Sequence, residues 1–253
     1  MNKEKIAISI DSDLLSEIDS IVDGTKLRSR SQAIEVLLKD SIKSKPITSA
    51  VMLVHEKEKG CLFSQIDGMP LIQHHLNFLM NNKIKDFYIV AKADDRMRQF
   101  SQEKFKNINI HLIDERQQNG TANALKLLKD KLTSDFVVIN GDTFNDFDIR
   151  RMMQRHKSGK YVCTMGLISS NNPSKFGSAI MDGEMIVDFK EKGQAESNII
   201  NAGIYIFKPN VFLLYDESTK SLEKDLFPKL AKVSLLQGFF TLGKYVHAPD
   251  LNP

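Results

Sequence analysis

A carboxylate that could do chemistry, Asp142, stands at the end of an apolar run within residues 135–143, DFVVINGDT. Phe136, Val137, Val138 and Ile139 are apolar without a break, and Asn140-Gly141 stops them. A run of that length predicts a strand covered on both faces, as in a parallel sheet. Ligands of open α/β sheets bind at the C-terminal edge of the strands. A carboxylate there can hold a divalent cation against phosphate oxygens. It could equally be a polar residue that ends the strand and caps the next helix.

The elements that must position Asp142 follow from periodicity. Residues 50–55 read as a buried strand, and 71–80 as a helix with Pro70 at its start. Strands are expected at 87–91 and 108–113 with a helical stretch between them, then a helix at 121–131. Alternation of this kind predicts an α/β domain, its sheet mostly parallel, with helices on both faces. After Asp148 the pattern gives a helix to about His156 and a strand over 161–167. A hairpin turns at Asp182-Gly183, a strand covers 201–207, a helix 221–232 and a late strand 238–241.

The first 45 residues have a different grain. Lys5-Ile6-Ala7-Ile8-Ser9-Ile10-Asp11 alternates as a strand does. A helix capped by Asp11 or Ser12 follows, with Leu14, Leu15, Ile18, Ile21 and Val22 on one face and Gly24 at its end. A second helix starts near Ser29, where Ser29 and Gln32 have capping-box spacing. One strand and two helices this short cannot bury their own apolar stripes. Two copies that pair their strands would solve this. The expected division is therefore 1–43 as a dimerisation unit, 44–49 as a linker and 50–253 as the large domain, in a homodimer or higher even-numbered oligomer.

Composition sets the outer limits. The 253 residues are 42% hydrophobic and 26% charged, ordinary for a soluble globular chain. No apolar run approaches a membrane span and no signal-peptide pattern is present, so a cytoplasmic protein without a membrane partner is expected. Cys61 and Cys163 form no metal or redox motif. A net charge of +3 does not by itself argue for nucleic acid. Residues 1–47 hold eight Lys/Arg and eight Asp/Glu, a balance of zero.

Over its whole length the N-terminal stretch, and above all Leu27-Arg28-Ser29-Arg30-Ser31-Gln32-Ala33-Ile34, resembles the ribbon-helix-helix family of DNA-binding repressors. The resemblance implies a paired ribbon in the major groove, with Lys5, Ala7 and Ser9 toward the bases and Lys3 among the DNA-binding residues. Arg28, Ser29, Arg30 and Ser31 would then meet the phosphates. A dimerisation module with no DNA role is the alternative.

From about residue 50 onward the chain resembles the sugar-1-phosphate nucleotidyltransferases, which join a sugar phosphate to a nucleoside triphosphate and release pyrophosphate; the resemblance implies a Rossmann-like α/β fold, its sheet mixed but mostly parallel. Six motifs carry this in the family's order. They are Gly120-Thr121-Ala122, Gly141-Asp142-Thr143, Phe176-Gly177, Glu191-Lys192, Asn201-Ala202-Gly203-Ile204-Tyr205 and Ser221-Leu222-Glu223-Lys224-Asp225-Leu226-Phe227-Pro228. The resemblance implies that Gly120 and Thr121 meet the nucleotide and that Asp142 and Asp250 hold Mg²⁺. Phe176, Gly177, Asn201 and Gly203 would line the sugar, Glu191 would grip it and Lys192 would reach its phosphate. An alternative alignment places Ala248 at the second metal position. Taken singly, the glycines could serve turns, the charges could be solvated, and the aromatics could be core.

One family feature is missing. The first strand should lead into a glycine-rich loop with an arginine and a Pro-Lys pair, whose amides and cations grip the triphosphate. Here residues 55–70 are shorter, contain Gly60 in place of a glycine run, and add Glu56 and Glu58. No catalytic residue is therefore assigned, and whether the chain is an enzyme is left open, with catalysis disfavoured. The leading expectation is a transcriptional regulator, a ribbon-helix-helix dimer on operator DNA whose degenerate domain senses a nucleotide-sugar or sugar phosphate. The alternative is an active Mg²⁺-dependent nucleotidyltransferase dimerised by its N-terminal unit, with Lys57, Lys59 and Lys192 supplying positive charge.

Overall fold

The structure is a computed structural model and describes residues 6–25, 27–43, 46–115 and 119–250. The chain divides into two compact units, Met1–Lys45 and Pro46–Pro253.

In the first unit, α1 (Ser12–Ser20) begins at Asp11, whose side chain accepts from Asp13 N. Gly24 takes a left-handed φ of 70° at the turn that follows. Helix α2 (Arg30–Lys43) opens with a reciprocal cap. Gln32 N donates to Ser29 Oγ at 3.2 Å, and Arg28 N donates to Gln32 Oε1 at 3.0 Å. Ile18 and Ala33 are buried between the helices. Residues 6–10 do not form the expected strand, because a lone strand has no partner to donate to within this chain. Ile6, Ile8, Leu14, Ile21, Leu37 and Leu38 are exposed.

The second unit runs β1 (Ser49–Leu53), β2 (Gln65–Ile66), β3 (Met69–Pro70), α3 (Leu71–Asn81), β4 (Asp86–Ala91), α4 (Asp95–Gln102), β5 (Asn109–Asp114) and α5 (Thr121–Lys126). Then come β6 (Phe136–Asn140), β7 (Thr143–Asp146), α6 (Ile149–Ser158), β8 (Cys163–Ser169), β9 (Ser178–Asp182), β10 (Met185–Lys190) and β11 (Ile199–Phe207). A π-turn at Leu222–Leu226 feeds α7 (Phe227–Lys232), and β12 (Leu236–Phe240) and β13 (Lys244–His247) complete the unit. Among the described residues the main sheet has nine strands in the order β5-β4-β1-β6-β11-β8-β12-β10-β9.

The sheet is parallel from β5 through β4 and β1 to β6. Beyond β6 it is more antiparallel than expected, since β11 runs against β6, β8 and β9, and β10 against β12 and β9. Only β8 and β12 are parallel there. Side chains of β6 alternate between two cores. Val137 and Ile139 enter one cluster with Ala50, Met52 and Leu76, while Phe136 and Val138 enter the other with Val51, Leu125 and Phe227. The unbroken apolar run is thus a strand buried on both faces, as its composition predicts. No helix among the described residues is long and apolar enough to cross a membrane.

Candidate functional site

The parallel strands β1, β4 and β6 end on one edge of the sheet, and Asp142 lies two residues past the end of β6. Gly141 N donates to Leu53 O at 2.9 Å, and a Cβ on Gly141 would press on Val54. The turn is therefore clamped against β1 and aims the next side chain at the edge. Strand β7 then pairs antiparallel with β13, register Thr143 against His247. Asp142 O accepts from Ala248 N at 2.8 Å. This non-local pairing brings the end of the chain to Asp142.

Asp142 and Asp250 flank one imidazole. His247 Nε2 lies 3.6 Å from Asp142 Oδ2 and Nδ1 lies 3.0 Å from Asp250 Oδ2. The carboxylate of Asp142 first, and that of Asp250 after it, hold His247 above the usual histidine range against the burial that opposes them. Lys175 Nζ reaches Asp250 at 3.4 Å, and the Phe176 ring meets His247 edge-on at 5.2 Å. His247 lies outside the sequence-derived site. Its spacing of three residues from Asp250 was the one visible signal.

From Asp142 the site extends through a line of charged groups. Glu58 is half-buried; burial first and Asp142 next push its carboxyl above the usual range, while His55, Lys192 and His247 oppose them. Glu191 is also raised, by burial and then by Glu223, with Lys224 and Lys192 opposing. Glu191 Oε2 is buried without a hydrogen-bond partner among the described residues. An acceptor so placed is ready for a ligand hydroxyl. Glu223 in turn accepts from Thr121 Oγ1 at 2.8 Å and from Ser221 Oγ at 3.0 Å. Neither Glu58 nor Glu223 is a sequence-derived site residue, although Glu223 lies inside a quoted motif.

Gly120 and Thr121 open α5 against residue 220. Ala122 N donates to Lys220 O at 2.9 Å, and Leu222 N donates to Thr121 Oγ1 at 2.8 Å. The expected helix over 221–232 starts as a π-turn because Asp225 Oδ2 accepts from both Lys220 N and Ser221 N, at 2.9 and 2.8 Å. The sequence-derived sugar residues Gly177, Asn201 and Gly203 meet at the irregular part of β11. Asn201 N donates to Gly177 O at 2.9 Å. Asn201 Nδ2 donates to Tyr205 OH at 2.7 Å, and its Oδ1 accepts from Gly203 N at 2.9 Å. Both ends of that amide are used inside the protein, where they hold the bulge. Gly203 has φ 72°, and a Cβ there would overlap Thr143 Oγ1. Phe176 is half-buried beside Tyr245 at 6.4 Å.

The short segment after β1 folds as a single tight turn, Lys59–Phe63, with Leu62 buried. Of its lysines, Lys59 is held by Asp94 at 3.2 Å. In the first unit, Ala7 and Ser9 are exposed. Lys3 and Lys5 lie outside the described residues. Arg28 Nε donates to Thr25 O at 3.1 Å. Arg30 is bound by both oxygens of Asp19, at 2.5 and 2.6 Å. Ser29 Oγ is occupied by Gln32 N, and Ser31 is exposed. The Arg30 guanidinium is thus paired within the unit, on side chains 60% and 41% exposed.

Two buried histidines give the domain an acid-sensitive core. His75 on α3 packs edge-on against Phe144 at 5.7 Å, and burial pushes it down to about 3 despite the opposing pull of Asp142. His156 on α6, buried beside Thr164, is likewise held down to about 3 by burial, with Lys208 and Lys157 adding to it. The unfolded chain takes up these protons below about pH 6.5, while the fold refuses them. Stability should therefore fall as pH drops from about 6.5 toward 3, beginning above the range where carboxylates titrate. Urea midpoints measured from pH 7 to 4 should decline from the start. His75→Gln should flatten part of the slope, and a midpoint constant down to pH 4.5 would contradict this.

Comparison with known proteins adds to this geometry. The nucleotidyl transferase family model matches residues 31–244. Mannose-1-phosphate guanylyltransferase catalytic subunit beta of Xenopus tropicalis is 31% identical over 187 residues, which are 68% of this chain and 51% of that protein. D-glycero-alpha-D-manno-heptose 1-phosphate guanylyltransferase of Aneurinibacillus thermoaerophilus is 29% identical over 180 residues, 70% of this chain and 78% of that protein. The crystal structure of HddC from Yersinia pseudotuberculosis superposes with a TM-score of 0.66 at 22% identity, covering 79% of this chain and 93% of that one. At that identity the superposition speaks for the fold. The chain spans about half the length of the first curated relatives it matches. These findings correct the expectation of an operator-binding regulator built on a pseudoenzyme. The relatives are named as sugar-phosphate guanylyltransferases, and nothing in the comparisons supports DNA as a partner or transcription regulation as a role.

Proposed function

Because the chain belongs to the nucleotidyl transferase family, we propose that it catalyses Mg²⁺-dependent transfer of a nucleotidyl group to a sugar 1-phosphate. A phosphate oxygen of the sugar 1-phosphate attacks the α-phosphorus of the triphosphate. The bond from that phosphorus to the bridging oxygen breaks, and pyrophosphate leaves with the electron pair. The chemistry asks the protein chiefly for positioning and charge neutralisation.

The observation that carries this reading is the carboxylate pair at the sheet edge, Asp142 and Asp250 on either side of His247. Two carboxylates suit Mg²⁺ when phosphates and waters fill its remaining positions. No group of three or more His, Cys, Asp or Glu able to hold a metal occurs among the described residues. The bound ion would supply charge stabilisation at the phosphates. Lys192 would meet the phosphate of the sugar, the unpartnered Glu191 Oε2 would accept from a sugar hydroxyl, and the Gly120–Thr121 turn would face the nucleotide. The test is pyrophosphate release across a panel of triphosphates and sugar 1-phosphates with Mg²⁺. GTP with mannose or heptose 1-phosphate heads the panel because the relatives bear those names. Release that needs both substrates supports the reading; a folded protein silent across the panel rejects it.

The first unit is proposed to be a dimerisation module of ribbon-helix-helix type. Its exposed Ile6, Ile8, Leu14, Leu37 and Leu38 are what a second copy would cover. Full-length protein should sediment as a dimer and Ile8→Glu as a monomer. A wild-type monomer at micromolar concentration would count against the module.

A further inference from the structure

If the domain handles a triphosphate, something must replace the missing loop cations, and the same sheet edge offers a candidate. Strands β1 and β4 are parallel neighbours, register Leu53 against Val90, so their C-terminal ends lie side by side. Glu56 lies three residues past the end of β1, and Lys92 one residue past the end of β4. Their side chains meet at 2.6 Å. The neighbouring pair, Lys59 with Asp94 at 3.2 Å, joins the same two loops. Arg96 on α4 lies over the Phe63 ring at 3.8 Å, which anchors the turn from below. Glu56 is held below the usual carboxylate range by Lys92 first, against a smaller opposing effect of burial and with further help from Lys59 and His55. One carboxylate therefore sits among several groups that favour an anion.

We propose that this cluster, Lys92 and Lys59 around Glu56, is the polyphosphate-binding site of the domain, with the Glu56 carboxylate filling the place of a phosphate until a triphosphate displaces it. The inference rests on the nucleotidyltransferase reading and supplies the grip that the shortened loop lacks. Position supports it. Asp142 lies two residues past the end of β6, the other parallel neighbour of β1. The cluster is about two strand spacings, roughly 10 Å, from the metal carboxylate along the same edge. Exposure supports it too. The Lys92 and Glu56 side chains are 50% and 44% exposed. A pair so solvated is weak and readily exchanged, whereas a triphosphate brings several negative charges to the same cations. The second loop acid, Glu58, is influenced by Asp142, while His55 acts on both glutamates.

The experiment is isothermal titration of full-length wild type, Lys92→Gln and Glu56→Gln with inorganic tripolyphosphate and with GTP, each with Mg²⁺. Lys92→Gln should weaken both ligands about tenfold. Glu56→Gln should tighten both several-fold, because it removes the internal competitor and leaves the cations. This opposition of sign is not expected of two variants that merely loosen the fold. GTP binding that is the same in all three proteins, or weakened by Glu56→Gln, overturns the site while leaving the nucleotidyltransferase reading intact. A wild type that binds no triphosphate overturns both.

Discussion

Asp142→Ala should lower the rate of pyrophosphate release by about a hundred- to a thousandfold, the usual cost of removing one preorganised charge-stabilising group. The reasoning is local. Asp142 is the carboxylate that the β6 turn delivers to the sheet edge, and its backbone oxygen is fixed by Ala248 N at 2.8 Å. Removing the side chain leaves that bond and both cores intact, so the thermal transition should move little. His247 would keep Asp250 at 3.0 Å but lose one of its two carboxylate partners. Raising the Mg²⁺ concentration should restore little of the rate, since one of two protein ligands is gone. Initial rates against Mg²⁺ for wild type, Asp142→Ala and Asp142→Asn check this. Activity retained in Asp142→Ala would remove the metal from Asp142.

Gly120→Ala should damage both stability and nucleotide binding. Gly120 has φ 101°, a conformation side chains rarely adopt, and a Cβ there would overlap the carbonyl oxygen of Lys220. The same oxygen accepts from Ala122 N and Asn123 N at 2.9 and 3.3 Å. The overlap therefore cannot be relieved without separating α5 from the 220–226 segment. Backbone strain of this kind costs on the order of 1–3 kcal/mol before the overlap is counted. For a domain of this size the melting temperature should fall by about 5–10 °C. Thr121 and Glu223 would part with it, so GTP affinity should drop at least about tenfold where the protein remains folded. Differential scanning calorimetry and titration with GTP measure the two effects. An unchanged melting temperature would mean that the turn is not held as described.

The sequence reaches the framework of this domain more easily than its chemistry. The run at 136–139 identifies a doubly covered strand because both cores demand apolar residues on successive positions. Gly183 at φ 58° forms the turn that Asp182-Gly183 predicts, between β9 and β10. The β7–β13 ladder was not legible. It joins two four-residue strands about a hundred residues apart, and Thr143–Asp146 follows β6 so closely that it reads as loop. With that ladder unseen, His247 could not be placed beside Asp142. The antiparallel half of the sheet was hidden for the same reason, since strand direction depends on long-range pairing and not on local pattern.

The functional error has a particular source. A missing glycine-rich loop weighs against catalysis only if no other group holds the phosphates. The ion pairs between the β1 and β4 loops, Glu56 with Lys92 and Lys59 with Asp94, put cations at that edge from residues far apart in the chain. Spacing along the sequence does not reveal them. The DNA assignment rested on the first unit alone, and it is the relatives, named as sugar-phosphate guanylyltransferases, that overturn it.

The most direct measurement is the phosphorus-31 NMR spectrum of full-length protein with Mg²⁺, GTP and a sugar 1-phosphate, mannose and heptose first. The account predicts resonances of pyrophosphate and of a diphosphate diester growing together as GTP and the sugar phosphate decline, and no such growth with Asp142→Ala. A wild-type spectrum that stays unchanged across the panel, from protein shown to be folded, would contradict it.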